Sequence, residues 1–291
     1  DVLGGINYVR SLSAIQDEAE LNTLVEGEKK RFKGRELVGK TLGVVGLGAI
    51  GSMVARAGLD LGMTVVGYDP ALSVDAAWRI PAEVERMENL PALFAKADYV
   101  TLHVPLLPAT EGMINDESLR AFKPGSVLLN FARQPIVDAT ALAHALENGQ
   151  LARYVADFPV PGLLEHDKVM LTPHLGASTD EAEENCAVMA AEQLKRFLET
   201  GSIVNSVNFP AVASEPHEGF RLAVSNVNVP GMLGQMTAVL AERNINVIDL
   251  INKSRDDIAY NLIDLSEAPD QGLIDAIAKI ESVINVRVIE T

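Results

Sequence analysis

Cysteine occurs once in the 291 residues, as Cys186, tryptophan occurs once, and aromatic residues make up only 5% of the chain. A single thiol closes no intrachain disulfide, so the fold rests on its core, as suits a reducing compartment. Cys186 sits inside a helical pattern, where its expected role is buried filler. Basic residues are also the minority, 24 Lys and Arg against 40 Asp and Glu, for a net charge of −16. That balance argues against nucleic acid or an anionic membrane surface as partner, although one local cationic pocket could hold an anionic metabolite. Long apolar runs are missing too: none is long enough to span a bilayer, and the opening D-V-L-G-G-I-N-Y-V-R lacks the basic-then-apolar layout of a signal peptide. The expectation is a soluble cytoplasmic protein with no membrane partner and no metal site.

What is present is a chain of two-domain length with 48% hydrophobic residues. Val2, Leu3, Ile6, Val9, Leu12 and Ile15 recur at mostly helical spacing, so residues 1–15 read as an amphipathic helix. From Lys40 to Pro173 the runs T-L-G-V-V, T-V-V-G-Y, D-Y-V-T-L-H-V, S-V-L-L-N-F, R-Y-V-A-D-F and K-V-M-L-T alternate with helical stretches around 49–62, 90–96, 116–122 and 138–149. Strand and helix taking turns predicts an α/β fold, a doubly wound parallel sheet of Rossmann type. A long helix is expected over 179–200, with acids in its first turn and Gly201 just past its end. Pro, Ser and Gly in N-S-V-N-F-P-A-V-A-S-E-P-H-E-G mark a linker. Beyond it the order strand, helix, strand, strand, helix, strand predicts a ferredoxin-like β-α-β-β-α-β unit.

V-V-G-L-G-A-I-G places Gly46, Gly48 and Gly51 as GxGxxG after an apolar strand and at the start of a helix, with Ala49 and Ile50 between. Such a turn brings main-chain N–H groups close to a pyrophosphate. About twenty residues on, the next strand ends at Tyr68-Asp69-Pro70, where an acid can accept hydrogen bonds from the ribose hydroxyls of NAD and repel the extra phosphate of NADP.

Five motifs in order, V-V-G-L-G-A-I-G, G-Y-D-P, T-L-H-V-P-L, N-F-A-R and T-P-H-L-G-A-S-T, together resemble the NAD-binding half of the D-isomer-specific 2-hydroxyacid dehydrogenases, over about Val2 to Pro210. The last unit, opening N-V-N-V-P-G-M-L-G-Q-M, resembles an ACT regulatory domain. The resemblance implies NAD as cofactor. It places His103, Val104, Pro105 and Thr110 on the adenine side, Asn130, Phe131 and Ala132 beside the cofactor, Asp157 at the nicotinamide carboxamide, and His174 and Gly176 in the same site. It also implies Arg133 as the grip on the substrate carboxylate and His174 as the base that takes the hydroxyl proton. Imidazole, with an ordinary pKa near 6.5, suits that exchange. The joined layout resembles the phosphoglycerate-oxidising members, which implies 3-phosphoglycerate as substrate, phosphohydroxypyruvate as product and a place in serine synthesis. Asn226, Asn228 and Asn246 fall where ACT domains bind an amino acid, typically serine, and edge pairing of such units implies a homo-oligomer.

Three departures accompany the match. The family's glutamate a few residues after the aspartate is matched here by Gly162, with Glu165 nearby, and its arginine is followed here by Gln134 and Pro135 instead of glycine. The family's leading substrate lobe, roughly 100 residues and domain-sized, is not in this sequence. The expected domains are therefore 1–39 as helix and connector of an incomplete substrate lobe, 40–175 binding NAD, 176–205 as a helix returning to that lobe, 206–218 as linker and 219–291 as ACT unit. Two alternatives stay open: another D-2-hydroxyacid dehydrogenase, or a sensor that binds NAD and an amino acid without turnover.

Overall fold

Neighbouring residues of the first two apolar runs point to opposite sides of one sheet, and both sides are buried. Val44 and Val65 pack with Leu42, Leu47 and Ala55, whereas Val45 and Val66 pack with Leu93, Phe94, Val100 and Leu128. A strand buried on both faces has no polar side to alternate with, which is why these runs read as continuous hydrophobic stretches.

A computed structural model describes residues 2–215 and 219–290. The chain divides into two compact units, residues 1–177 and 178–291. The first contains helices α1 Val2–Ser11 and α2 Glu18–Glu28, then β1 Thr41–Val45, α3 Ala49–Asp60, β2 Thr64–Tyr68, α4 Val74–Ala77, β3 Glu85–Arg86, α5 Leu90–Lys96, β4 Tyr99–Leu102, α6 Asp116–Arg120, β5 Ser126–Asn130, α7 Ala139–Glu147, β6 Leu151–Ala156 and β7 Val169–Leu171. Its seven strands are all parallel, in the order β3-β2-β1-β4-β5-β6-β7. The expected doubly wound sheet is present. The chain leaves β1 toward β2 on one side and returns to β4 on the other, so the β1/β4 boundary is the point where such sheets open a crevice beyond their carboxyl ends.

The helices start where side chains can satisfy their first N–H groups: Asn89, Asn115 and Asp138 accept from Ala92, Ser118 and Ala141 N–H respectively. The short β3 and α4, and α2, were not anticipated. α2 buries no residue, so it has no apolar stripe to betray it.

The second unit begins with α8 Asp180–Thr200, capped by the Thr179 hydroxyl and ended by Gly201 at φ 75°. There follow β8 Phe220–Val227, α9 Met232–Glu242, β9 Val247–Arg255, β10 Ile258–Leu265, α10 Gln271–Ala278 and β11 Val283–Glu290. The antiparallel sheet has the order β11-β8-β10-β9. α9 and α10 cover one face through Met232, Met236, Leu240, Leu273 and Ile277. On the other face Phe197, Ile203, Phe209 and Val212 pack on Ala223, Tyr260, Leu262 and Ile289.

Part of the stretch that reads as a linker is therefore tied down: Val212 is fully buried and exchanges both main-chain hydrogen bonds with Ile203. Pro216, His217 and Glu218 of that stretch lie outside the described residues. Arg221, an unremarked residue in an apolar run, is buried with a two-pronged ion pair to Asp264 and a bond to the Thr200 carbonyl. Cys186 corrects an expectation, since it is exposed. α8 has no buried residue; helical periodicity shows that a helix has an apolar face, not that anything covers it.

Candidate active site

The glycine turn after β1 is fixed by contacts that admit no side chain. Gly46 takes φ 91° and donates its N–H to the Tyr68 carbonyl at 2.9 Å. A Cβ on Gly51 would lie 1.9 Å from the Gly46 oxygen, so α3 can start this close to β1 only with glycine there. Gly48 is different. Its φ is −67°, and a Cβ built on it meets nothing within 4 Å, so no atom of the described residues requires glycine at this position. It caps α3 with no side-chain hydrogen bond, leaving the first-turn N–H groups of the helix open to the same space.

Asp69, at the end of β2, is locked against this turn. One carboxylate oxygen accepts from Leu47 N–H and the other from Ala71 N–H, both at 2.9 Å. Each oxygen keeps a further lone pair for a ribose hydroxyl. Tyr68 and Pro70 flank it, Tyr68 packed against the core and Pro70 exposed.

Ile50, His103, Val104, Pro105, Leu106, Phe131, Ala132 and Arg133 line one groove of about 480 Å3 at the carboxyl ends of β1, β4 and β5. Seven of these eight are residues the sequence singles out, and the exception, Leu106, continues the T-L-H-V-P-L motif. Ile50 and Phe131, both large and apolar, are exposed there. Thr110 does not line this groove; its hydroxyl donates to the Pro105 carbonyl and accepts from Leu107 N–H, so it shapes the loop.

His103 donates its main-chain N–H to Val45, and its Nε2 lies 2.9 Å from the Thr101 hydroxyl. Burial pushes its imidazole down to about 4. An unfolded histidine titrates near 6.5, so as pH falls from 6.5 to 4 the unfolded chain takes up a proton that the folded chain refuses. Stability should therefore drop across that window by up to about 3 kcal/mol and level off below it. Urea denaturation of this chain and of His103→Gln at pH 7 and pH 4.5 checks this: the variant should lose less stability between the two, and equal losses would contradict it.

The loop after β5 is built on Asn130, which is fully buried. Its amide donates to the Arg133 carbonyl at 2.9 Å and its oxygen accepts from Ala132 N–H, so it props the backbone that carries Phe131, Ala132 and Arg133. Arg133 is exposed on the groove, with one Nη1 bond to the Ala132 carbonyl. Gln134 and Pro135 begin a 3-10 turn whose Pro135 carbonyl accepts from Gly112 N–H.

Asp157 organises the segment after β7. Its carboxylate accepts from the Thr172 hydroxyl, Leu175 N–H at 2.7 Å and Gly176 N–H at 2.6 Å. Burial alone would raise this carboxyl, but those three bonds outweigh it and hold the group below the usual carboxylate range. His174 adopts φ 60°, a left-handed conformation that costs an L residue roughly 1–2 kcal/mol, and its ring lies 4.8 Å from that of Phe158. A Cβ on Gly176 would fall 3.9 Å from Phe131, so the His174 loop abuts the loop of Arg133. Thr172 and Phe158 escaped the sequence reading, although Thr172 belongs to the same L-T-P-H motif. Gly162 takes φ 82° in a Pro-Gly turn closed by Leu163 N–H onto Val160, which places no carboxylate at that position.

In the second unit the three asparagines part company. Asn228 and Asn246 are exposed, with Asn228 donating to the Asp256 carbonyl. Asn226 is buried: its oxygen accepts from Asn261, which accepts from Asn252, a ladder across β8, β10 and β9. One of its two amide N–H groups donates to the Val227 carbonyl. Asn226 thus differs from the other two in being buried, with its side-chain oxygen and one amide N–H engaged within the protein. Among the described residues no cluster of His, Cys, Asp and Glu is arranged to hold a metal ion, and no helix is long and apolar enough to cross a membrane.

A family model for the NAD-binding domain of D-isomer specific 2-hydroxyacid dehydrogenases matches residues 5–176. D-3-phosphoglycerate dehydrogenase of Haemophilus influenzae is 34% identical over 273 residues, covering 90% of this chain and 65% of that protein. Among solved structures, the apo form of D-mandelate dehydrogenase from Rhodotorula graminis is similar with a TM-score of 0.59 at 28% identity, over 72% of this chain and 62% of that one. The NAD+-bound 3-phosphoglycerate dehydrogenase of Entamoeba histolytica is similar with a TM-score of 0.53 at 29% identity, over 60% of this chain and 57% of that one. This chain spans about two thirds or less of the length of the curated relatives.

Proposed function

Because the chain belongs to the D-isomer-specific 2-hydroxyacid dehydrogenases and carries their NAD-binding domain, we propose that it serves the oxidation of 3-phosphoglycerate to phosphohydroxypyruvate in serine synthesis. The substrate is that named for the Haemophilus influenzae relative; the observation that carries the NAD-dependent part is the open cradle over Gly48, next to the fixed carboxylate of Asp69 and continuous in sequence with the Ile50 wall of the groove. A pyrophosphate fits where a Cβ would otherwise stand, and the ribose fits against Asp69. When bound, NAD supplies the hydride acceptor.

The chain's own residues do the rest. Arg133 grips the substrate carboxylate with its remaining N–H donors and steadies the carbonyl oxygen as it forms. His174 takes the hydroxyl proton, and Asp157 holds the backbone that presents it. The groove-lining Ile50, Leu106 and Phe131 exclude water around the cofactor. In the second unit an ACT-type regulatory role follows from the β-α-β-β-α-β order, with exposed Asn228 and Asn246 as contacts for serine and a homo-oligomer as the working form.

NADH formation, followed at 340 nm with 3-phosphoglycerate, D-lactate and D-glycerate, tests the assignment. The expected result is turnover that prefers 3-phosphoglycerate; preference for another acid reassigns the substrate. The Pro-Gly turn at Gly162 favours one second reading, a sensor that binds NAD without turnover, because no carboxylate stands there to partner the histidine. NADH binding with no product from any acid selects it.

A further inference from the structure

The face of the second sheet opposite α9 and α10 is incompletely filled. Between it and the cover formed by the end of α8 and residues 202–209 lies a cavity of about 420 Å3, walled by Phe197, Phe209 and Tyr260, with Arg287, Ser225 and Asn285 on the sheet side. The space opens to solvent along exposed Leu194 and Asn285, a groove of the size that small molecules occupy. Its walls are held rigidly. Phe209 and Tyr260 meet edge-on at 6.1 Å, the Tyr260 hydroxyl donates to the Gly201 carbonyl, and the Arg287 guanidinium stacks 4.3 Å over the Phe197 ring. A preformed site spares a ligand the cost of ordering it.

Its charge is unusual for this molecule. The chain has 40 Asp and Glu, yet among the described residues no acid lines the cavity and Arg287 is its one ionic group. One guanidinium bond, to the Phe197 carbonyl, caps α8. Its Nε, by contrast, is buried with no hydrogen-bond partner among the described residues. Closed to solvent, that Nε is not a donor a ligand can reach; what the groove offers is the cationic guanidinium beside aromatic walls, which matches a carboxylate on a flat or branched apolar body. Serine would leave the aromatic walls unused, and a phosphorylated sugar acid would bring too many charges for one arginine. We propose that this cavity is a binding site for a small organic monoanion with an aromatic or branched apolar body, separate from the dinucleotide groove and independent of the dehydrogenase reading.

Isothermal titration of the full chain with phenylacetate, which has no 2-hydroxy or 2-oxo group to engage a dehydrogenase site, tests this. Phenylacetate should bind with one site per chain, and neutral 2-phenylethanol at least about tenfold more weakly, the loss of one charged contact. Ser225→Leu, which plugs the cavity, should abolish binding while leaving NADH binding intact. Arg287→Gln should weaken it at least about tenfold; if that variant loses the α8 cap and unfolds, Ser225→Leu still decides. No heat with phenylacetate, equal binding of the alcohol, or binding undisturbed by Ser225→Leu would overturn the proposal.

Discussion

Gly48→Ala should weaken NADH binding about 10- to 100-fold, the 1–3 kcal/mol that an intruding methyl typically costs, while leaving the fold as stable as before. The two halves of that result come from one geometric fact: the added Cβ meets no atom of the protein, and the backbone at φ −67° suits an L residue. Only something outside the chain can object to it. Gly51→Ala is the contrast. Its Cβ would sit 1.9 Å from a main-chain oxygen that no rotamer can move, so turn and helix must separate. That variant should lose stability by about 3 kcal/mol, the upper end for overpacking, together with its NADH binding. Calorimetric titration and thermal melts of both variants separate a position emptied for a ligand from one emptied for packing. Unchanged NADH affinity in Gly48→Ala would show that the cradle is not where the pyrophosphate lies.

His174→Asn should lower kcat by about 10²–10⁴-fold, the usual contribution of a positioned acid–base group. Asparagine is chosen because the backbone here is left-handed. It tolerates that conformation better than alanine, so a loss of rate reports the missing proton acceptor and not a rearranged loop. Asp157 gives an internal comparison. Its carboxylate holds residues 172–176 through two N–H groups and one hydroxyl, so truncating it should move the imidazole without removing it and cost less than losing the imidazole itself. Steady-state rates of NADH formation check both; a His174→Asn variant within a few-fold of the parent would remove histidine from the chemistry.

Much of this arrangement is legible in the sequence because it rests on local rules. GxGxxG after T-L-G-V-V announces a strand, a turn and a helix start, and Asn and Asp before helical patterns announce their caps, so α3, α5, α6 and α7 fall where spacing puts them. Gly201 ends α8 in the left-handed conformation that capping chemistry calls for. The groove residues were legible through the resemblance carried by the five ordered motifs, and the fold shows why they meet: parallel strands bring their carboxyl ends to one edge of the sheet. What escaped is what depends on tertiary context. Nothing local says that Asp157 turns its carboxylate onto the His174 loop, that Asn226 joins Asn261 and Asn252 inside the sheet, or that Arg221 is buried against Asp264. Cys186 misled because a helix's apolar stripe is visible in sequence while its cover is not.

The central claim is that a dinucleotide lies across the start of α3, its diphosphate on main-chain N–H groups and its ribose on Asp69. Calorimetric titration of the unaltered chain with NADH and then NADPH tests it most directly. One NADH per chain, with NADPH at least about tenfold weaker because Asp69 repels its extra phosphate, is the expected result. Absence of heat with NADH, or equal affinity for the two, would contradict it.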